Sequence, residues 1–405
     1  MAAATKALTF VLILACFIEV SQLHEEQSPA DKYKDPDGGD QETCSKDGQV
    51  GGECQFVEAK LTRLDGVKVG HEQTVELVPG KTHYLKTLNM KPLIFEIDGF
   101  LSDEECDHII ALAEKQGLRS SLTKPQGIQH HIKIYDFDGD KHLTYNEMRI
   151  TIESAFDIYM VEDELKEVYA ELKLDKNEDG LISQEELSGI SSQKFAEFLI
   201  NWVNENPELR SRYSEQAWIY PNDVKDDIVD EFQKRIYHLL ELPRPLIDKF
   251  NTFQVVKYGI KGHYNAHIDS GDNLELPCCH LTDSERCRSC RYVTVMVYLN
   301  DVEEGGETAF PVANNETVSA DALHKGPLLN LNRHCKDANL LVKPEKGKAV
   351  VWYSHFIDEE TGWLGPIDEF TWHGGCPVTK GTKWIANRWI NVSKNKEVDL
   401  KSSQV

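Results

Sequence analysis

Hydrophobic positions along this chain follow two periods, a helical one over much of the first 250 residues and a strand period beyond. An apolar run from Pro92 to Phe100 reads as an early strand. Ser102 then caps a helix, and Glu105 three residues on completes a capping box. Cys106, Ile109, Ile110, Leu112 and Ala113 form the apolar face of that helix, and Gly117 stops it. Helical spacing returns at Phe195, Phe198, Leu199 and Trp202, and again at Ile228, Phe232, Ile236, Leu239 and Leu240, before Pro243 ends the segment. After Phe250 the predicted elements are strands: Phe253–Tyr258, Arg291–Leu299, Leu340–Val342, Lys348–Tyr353 and Trp384–Asn391. In the second of these, Val293, Val295, Val297 and Leu299 alternate with Thr294, Met296 and Tyr298. Short strands separated by Gly and Pro turns predict a sandwich or jelly roll, which makes the chain an α+β protein.

The remaining segments divide the chain. Lys6 precedes an apolar run from Ala7 to Ile18, which is too short for a helix across a bilayer of roughly 30 Å. Residues 1–23 therefore read as a secretory signal, with a short uncleaved anchor as the alternative because Glu19 spoils a small-x-small cleavage site. Residues 24–60 are polar and form a linker. Residues 61–127 and 191–395 belong to one folded domain, interrupted by an acidic helical block at 128–190, and residues 396–405 form a tail.

The net charge of −24 argues against nonspecific nucleic-acid binding. Ten cysteines, one of them Cys16 inside the signal, fit an oxidising secretory compartment. The other nine are an odd number, so at least one is left free or bonds another chain. Cys44 and Cys54 form a natural local pair, and Cys278, Cys279, Cys287 and Cys290 read as disulfides ahead of a zinc site. Asn315-Glu-Thr and Asn391-Val-Ser are glycosylation sequons, the second in a strand-like run. The Ser-Ser-Gln-Val terminus is no Lys-Asp-Glu-Leu retention signal.

The acidic block contains two twelve-residue loops in tandem. The first places Asp136, Asp138, Asp140 and Glu147 at positions 1, 3, 5 and 12, with the His142 carbonyl at position 7. The second does the same with Asp175, Asn177, Asp179, the Leu181 carbonyl and Glu186. This spacing wraps hard oxygen ligands around Ca(2+), and the tandem resembles an EF-hand pair. The first loop carries Lys141 where a glycine with positive φ is expected, which predicts weaker or distorted binding there. Leu143 at position 8 is expected to pair with the partner loop.

A second constellation lies among the strands. His267 and Asp269 are two residues apart, so in a strand-like segment both face one way. His373, ahead of a strand, is the best third ligand. Two histidines and one carboxylate on one face leave open positions on Fe(II) for an oxoacid and O2. A His-x-Asp alone is weak, and one further histidine adds little among 15. Lys383, ten residues after His373, adds a cation able to pair with the distal carboxylate of 2-oxoglutarate.

With these residues in place, Tyr258-x5-Tyr264-x2-His267-x-Asp269, then Gly305-Gly-Glu-Thr308-x-Phe310-Pro, then His373-x9-Lys383 resembles the prolyl 4-hydroxylases. The stretches starting at Arg63, Lys91 and Gly381, with the inserted acidic pair, resemble the endoplasmic-reticulum members of that family over residues 60–392. The resemblance implies a double-stranded β-helix core with supporting helices, and Fe(II), 2-oxoglutarate, O2 and ascorbate as cofactors. It assigns iron to His267, Asp269 and His373 and the oxoacid to Lys383, with Tyr258 and Thr294 as lesser contacts and Trp389 lining the pocket. It implies that 2-oxoglutarate is decarboxylated to succinate while peptidyl proline is hydroxylated at C4. The partner would be a proline-containing protein or peptide in the lumen of the endoplasmic reticulum or the secretory pathway. Two alternatives stay open: a lumenal calcium-binding module on an inactive dioxygenase fold, and a hydroxylase of another residue type.

Overall fold

A computed structural model describes residues 59–121, 135–248, 251–271, 276–279 and 287–400. The apolar run Ala7–Ile18, Cys44, Cys54 and nearly all of the 24–60 linker lie outside the described residues. Among the described residues no helix is long and apolar enough to cross a membrane.

The chain enters through β1 (Glu72–Val78), β2 (Lys81–Met90) and β3 (Leu93–Ile97), then α1 (Asp103–Gln116). Ser102 and Glu105 make the expected reciprocal cap, and Gly117 ends the helix at φ 90°. A short β4 (Arg119–Ser120) precedes the inserted acidic block. That block holds β5 (His142–Leu143), α2 (Tyr145–Phe156), α3 (Glu162–Leu172), β6 (Ile182–Ser183), α4 (Gln184–Ser188) and α5 (Ser192–Glu205). The chain returns through β7 (Arg212–Tyr213), β8 (Glu215–Ile219) and α6 (Asp227–Leu240). The strand-rich half follows: β9 (Phe253–Tyr258), β10 (His263–His267), β11 (Arg291–Tyr298), β12 (Thr308–Phe310), helices α7 (Ala320–Lys325) and α8 (Leu331–His334), β13 (Leu340–Val342), β14 (Ala349–Tyr353), β15 (His355–Ile357), β16 (Leu364–Ile367), β17 (His373–Gly375), β18 (Lys383–Asn391) and α9 (Lys396–Leu400).

Nine strands form one antiparallel sheet in the order β1-β2-β3-β14-β11-β18-β9-β8-β4. Five more form a second antiparallel sheet, β13-β12-β17-β10-β7. This mixture of helices and two sheets is consistent with a jelly-roll core. The alternation in β11 explains how the large sheet is covered on both faces. Val293, Val295 and Val297 join one core with Phe95, Ile97, Cys106, Ile109 of α1 and Phe232, Ile236 of α6. Met296 and Tyr298, one residue out of step, join a second core with Phe310, Val350, Trp352 and Ile385. Each fully buried aliphatic or aromatic side chain contributes roughly 1.5–3 kcal/mol, so a two-faced strand anchors both layers.

The inserted block has a separate core of Leu143, Met148, Ile152, Phe156, Leu165, Val168 and Ile182. This core runs on through Phe195, Leu199 and Val203 of α5 to Leu209, past residue 190. The periodicity of α5 is that of an amphipathic helix, and a sequence pattern does not say which of two cores its apolar face will meet.

Three disulfides are present among the described residues: Cys278–Cys290, Cys279–Cys287 and Cys335–Cys376. The four clustered cysteines are thus paired with each other, and Cys106 is a buried free thiol. Asn315 and Asn391 are both half-buried, Asn315 with its Oδ1 accepting from Thr317 Oγ1 at 2.7 Å and Asn391 within β18.

Candidate metal and oxoacid site

The small sheet aligns the two histidines. His267 ends β10 and His373 begins β17, and the ladder makes them direct Cα partners. Asp269 lies two residues beyond β10, and its oxygens stand 3.9 Å from His267 Nε2 and 3.5 Å from His373 Nε2. One ligand atom from each residue falls within 4.8 Å of the other two. His267 Nδ1 lies 3.0 Å from the Asn265 carbonyl, and His373 Nδ1 lies 2.8 Å from that of Thr371. A carbonyl only accepts, so each Nδ1 carries the hydrogen and each Nε2 turns a lone pair toward the shared space. Burial, with His373 alongside, holds His267 well below its ordinary value, so it stays neutral. Burial alone would raise Asp269, but His373, Arg291, His267 and the Thr294 hydroxyl outweigh it and hold the carboxyl below its usual range. Two imidazoles and a carboxylate suit a divalent first-row metal such as Fe(II) and leave further coordination positions open.

Lys383 begins β18, opposite Tyr258 in the ladder. It is 2% exposed, and no carboxylate pairs with it among the described residues. Its Nζ lies 3.5 Å from Thr308 Oγ1 and 5.4 Å from the centre of the Tyr258 ring. Burial pushes its ammonium down to about 7. His267, Asp269, His373 and Lys383 all line one cavity of about 290 Å³, together with Tyr258 and Thr294. A buried cation without a carboxylate partner at the wall of a cavity is a receptor for an anion.

The structure thus brings the four expected iron and oxoacid residues together. Thr294 is placed differently from the simplest reading, because its Oγ1 donates to Asp269 Oδ2 at 2.6 Å. It lines the cavity, yet its nearest task is to fix the carboxylate. Sequence reasoning assigned no role to Arg291, Arg212 or Tyr264. Arg291 Nη1 lies 3.5 Å from Asp269 Oδ1, and its guanidinium covers the Trp389 ring at 4.1 Å. The Tyr264 ring stacks on His267 at 3.8 Å and carries Arg212 on it at 4.7 Å. Arg291 was hidden because the ladder slips between Arg291 and Val293, so strand parity gives the wrong face.

A second cavity of about 1000 Å³ meets the first at Tyr264 and His267. One wall comes from the acidic block, with Tyr135, Ile150 and Tyr159, and the other from Leu323, Leu329 and Trp372. The two loops of the block are built alike. Positions 4 and 6 have positive φ in both, at Gly139 and Lys141 and at Glu178 and Gly180. Lys141 does adopt the left-handed conformation, at φ 69°. Leu143 pairs with Ile182 across β5 and β6, so the expected contact between loops is present. Asp136, Asp138 and Glu147 each bring an oxygen within 4.8 Å of the others. Glu186 accepts from Ser183 N and Oγ and from Lys176 N, and these hydrogen bonds, chiefly that from Ser183, hold its carboxyl at about 2.

This fold and site define an Fe(II)- and 2-oxoglutarate-dependent oxygenase, and residues 253–391 match the model of the 2OG-Fe(II) oxygenase superfamily. The human transmembrane prolyl 4-hydroxylase is 37% identical over 95% of this chain and 78% of its own length. The mouse transmembrane prolyl 4-hydroxylase is 38% identical over 83% of this chain and 70% of its own. Viral collagen prolyl hydroxylase from Paramecium bursaria Chlorella virus-1, solved with 2-oxoglutarate, aligns at 22% identity and a TM-score of 0.35, covering 74% of this chain and 96% of that one. The chain belongs to the transmembrane prolyl 4-hydroxylase family.

Proposed function

We propose that this protein hydroxylates peptidyl proline at C4, using Fe(II), O2 and 2-oxoglutarate, which becomes succinate and CO2. The observation that carries the reading is the buried Lys383, with no carboxylate partner among the described residues, in the same cavity as His267, Asp269 and His373. Those three residues hold the iron, whose chemistry is to activate O2 for the oxidation. Lys383 grips the distal carboxylate of the oxoacid, assisted by Tyr258 and by Thr294, which also fixes Asp269. Ascorbate, as in the family, serves as reductant.

The substrate is a proline-bearing chain lying in the larger cavity. An extended or polyproline II segment suits an aromatic-lined groove, because its ordering entropy is already low. Asp136, Asp138, Asp140, the His142 carbonyl and Glu147 hold one Ca(2+), and Asp175, Asn177, Asp179, the Leu181 carbonyl and Glu186 another, as an EF-hand pair. Calcium then acts on the groove wall. Phe137, between two ligands of the first loop, packs under Lys325 Nζ at 4.5 Å, and Arg149 Nη2 donates to the Lys325 carbonyl at 2.8 Å. The lumen of the endoplasmic reticulum is the proposed site of action, in keeping with the disulfides.

Anaerobic addition of Fe(II) and 2-oxoglutarate tests the reading. A weak visible charge-transfer band is expected in the wild type and not in His267→Ala. No band under saturating conditions would refute it. Titrating calcium while following succinate formation tests the calcium reading. A flat response with unchanged peptide affinity would leave calcium a structural role only.

A further inference from the structure

Asp269 is not held as its two histidine partners are. His267 and His373 are set by the ladder, whereas Asp269 lies past the last residue of β10. The backbone after it is fixed by side-chain tethers. Ser270 is 3% exposed, and its Oγ stands 2.7 Å from His355 Nε2. His355 is 1% exposed, with Nδ1 3.0 Å from the Gly365 carbonyl. Nδ1 must therefore carry the hydrogen, which leaves Nε2 to accept from the Ser270 hydroxyl. Gly271 is tied in turn, its N–H donating to Ser289 O at 2.9 Å and its carbonyl accepting from Arg288 Nη1 at 3.1 Å.

The β15–β16 hairpin that carries both His355 and Gly365 is itself anchored. Trp363 Nε1 donates to Ser393 O and to Asp399 Oδ2, each at 3.0 Å, and Asp399 is fully buried. Directly after β16, Thr371 Oγ1 donates to Asp368 O at 2.6 Å, and the Thr371 carbonyl orients His373. One hairpin thus touches the supports of two ligands.

We propose that His355 is a positioning residue for the metal-binding carboxylate: through Ser270 it locks the turn that follows Asp269, and the β15–β16 hairpin braces Asp269 and His373 together. A buried Ser–His pair with only a packing role would stabilise the fold without regard to metal. The inference rests on His267, Asp269 and His373 being the iron site, and it goes beyond that reading by naming what holds the carboxylate in place before metal arrives.

The test is an anaerobic Fe(II) titration at saturating 2-oxoglutarate, followed by the charge-transfer band, beside the thermal midpoint of the metal-free protein. The variants are His355→Phe, Ser270→Ala, the double variant and His355→Gln. Residues that orient metal ligands affect affinity by roughly 10–100-fold, so each of the first two should weaken Fe(II) binding about tenfold. The double variant should be no worse than either single one, because both break the same tether. His355→Gln, which keeps an acceptor and a donor, should recover most of the affinity. Unchanged Fe(II) affinity with a lowered metal-free midpoint would overturn the proposal, as would additive effects. Ser270→Ala carries the test if the bulkier change prevents folding. A missing band in the wild type would instead refute the iron site itself, so the two failures are distinct.

Discussion

Lys383 is where local chemistry makes the sharpest demands. A lysine with ammonium at about 7 is only partly charged near neutral pH, yet a carboxylate ligand requires the charged form. Binding of 2-oxoglutarate should therefore take up a proton, and its affinity should fall about tenfold per pH unit above 7. Calorimetry in two buffers of different ionisation enthalpy measures that uptake. Lys383→Ala leaves the ligand carboxylate buried without its partner, a loss of about 3 kcal/mol or more. The KM for 2-oxoglutarate should rise a hundredfold or beyond while the thermal midpoint of the free protein changes little or increases. At this scale the sequence was informative where spacing encodes chemistry. His267, Asp269, His373 and Lys383 could be named because a His-x-Asp pair, a later histidine and a lysine ten residues on together match one metal and oxoacid site. Arg291 could not, because a ladder slip reversed its face. His355 could not either, because its partner Ser270 is 85 residues away.

Among the elements, helix caps and strand alternation were the most legible. Ser102, Glu105 and Gly117 act over a few residues, and so they appear in the structure as the local pattern predicts. From Val293 to Tyr298 the strand does the same, since a period of two requires no knowledge of its neighbours. The inserted loops are local in the same sense. Glu186→Gln removes the carboxylate at position 12, and calorimetry should then find one calcium equivalent fewer than in the wild type. Lys141→Gly relieves a left-handed backbone that costs an ordinary residue about 1 kcal/mol. It should raise the thermal midpoint slightly, since the added flexibility of glycine in the unfolded chain offsets part of the gain. A lowered midpoint would show that the Lys141 side chain contributes more than its strain removes.

Over the whole molecule, long-range closure decides what a pattern leaves open. The pairing of His267 with His373 spans more than a hundred residues of chain, and only the folded sheet makes them neighbours. The Cys335–Cys376 disulfide, with a sequence separation of 41, ties the segment after α8 to the residue that follows β17. Closing a loop of that length is worth roughly 4 kcal/mol in the chain-entropy model. Replacing both cysteines with serine should lower stability by about that amount in a denaturant titration, and the loss should be felt first at His373. The core of the inserted block likewise extends to Leu209, which no sequence boundary marks. The central claim is that iron and oxoacid in the smaller cavity meet a peptidyl proline held in the larger one. It is tested most directly by mass spectrometry of a proline peptide incubated with the full chain, Fe(II), 2-oxoglutarate, ascorbate and calcium, with succinate measured in the same reaction. The account predicts one added oxygen on proline C4 for each peptide-coupled succinate, and none with His267→Ala. Succinate formed without any hydroxyproline, across proline peptides that bind the protein, would contradict it.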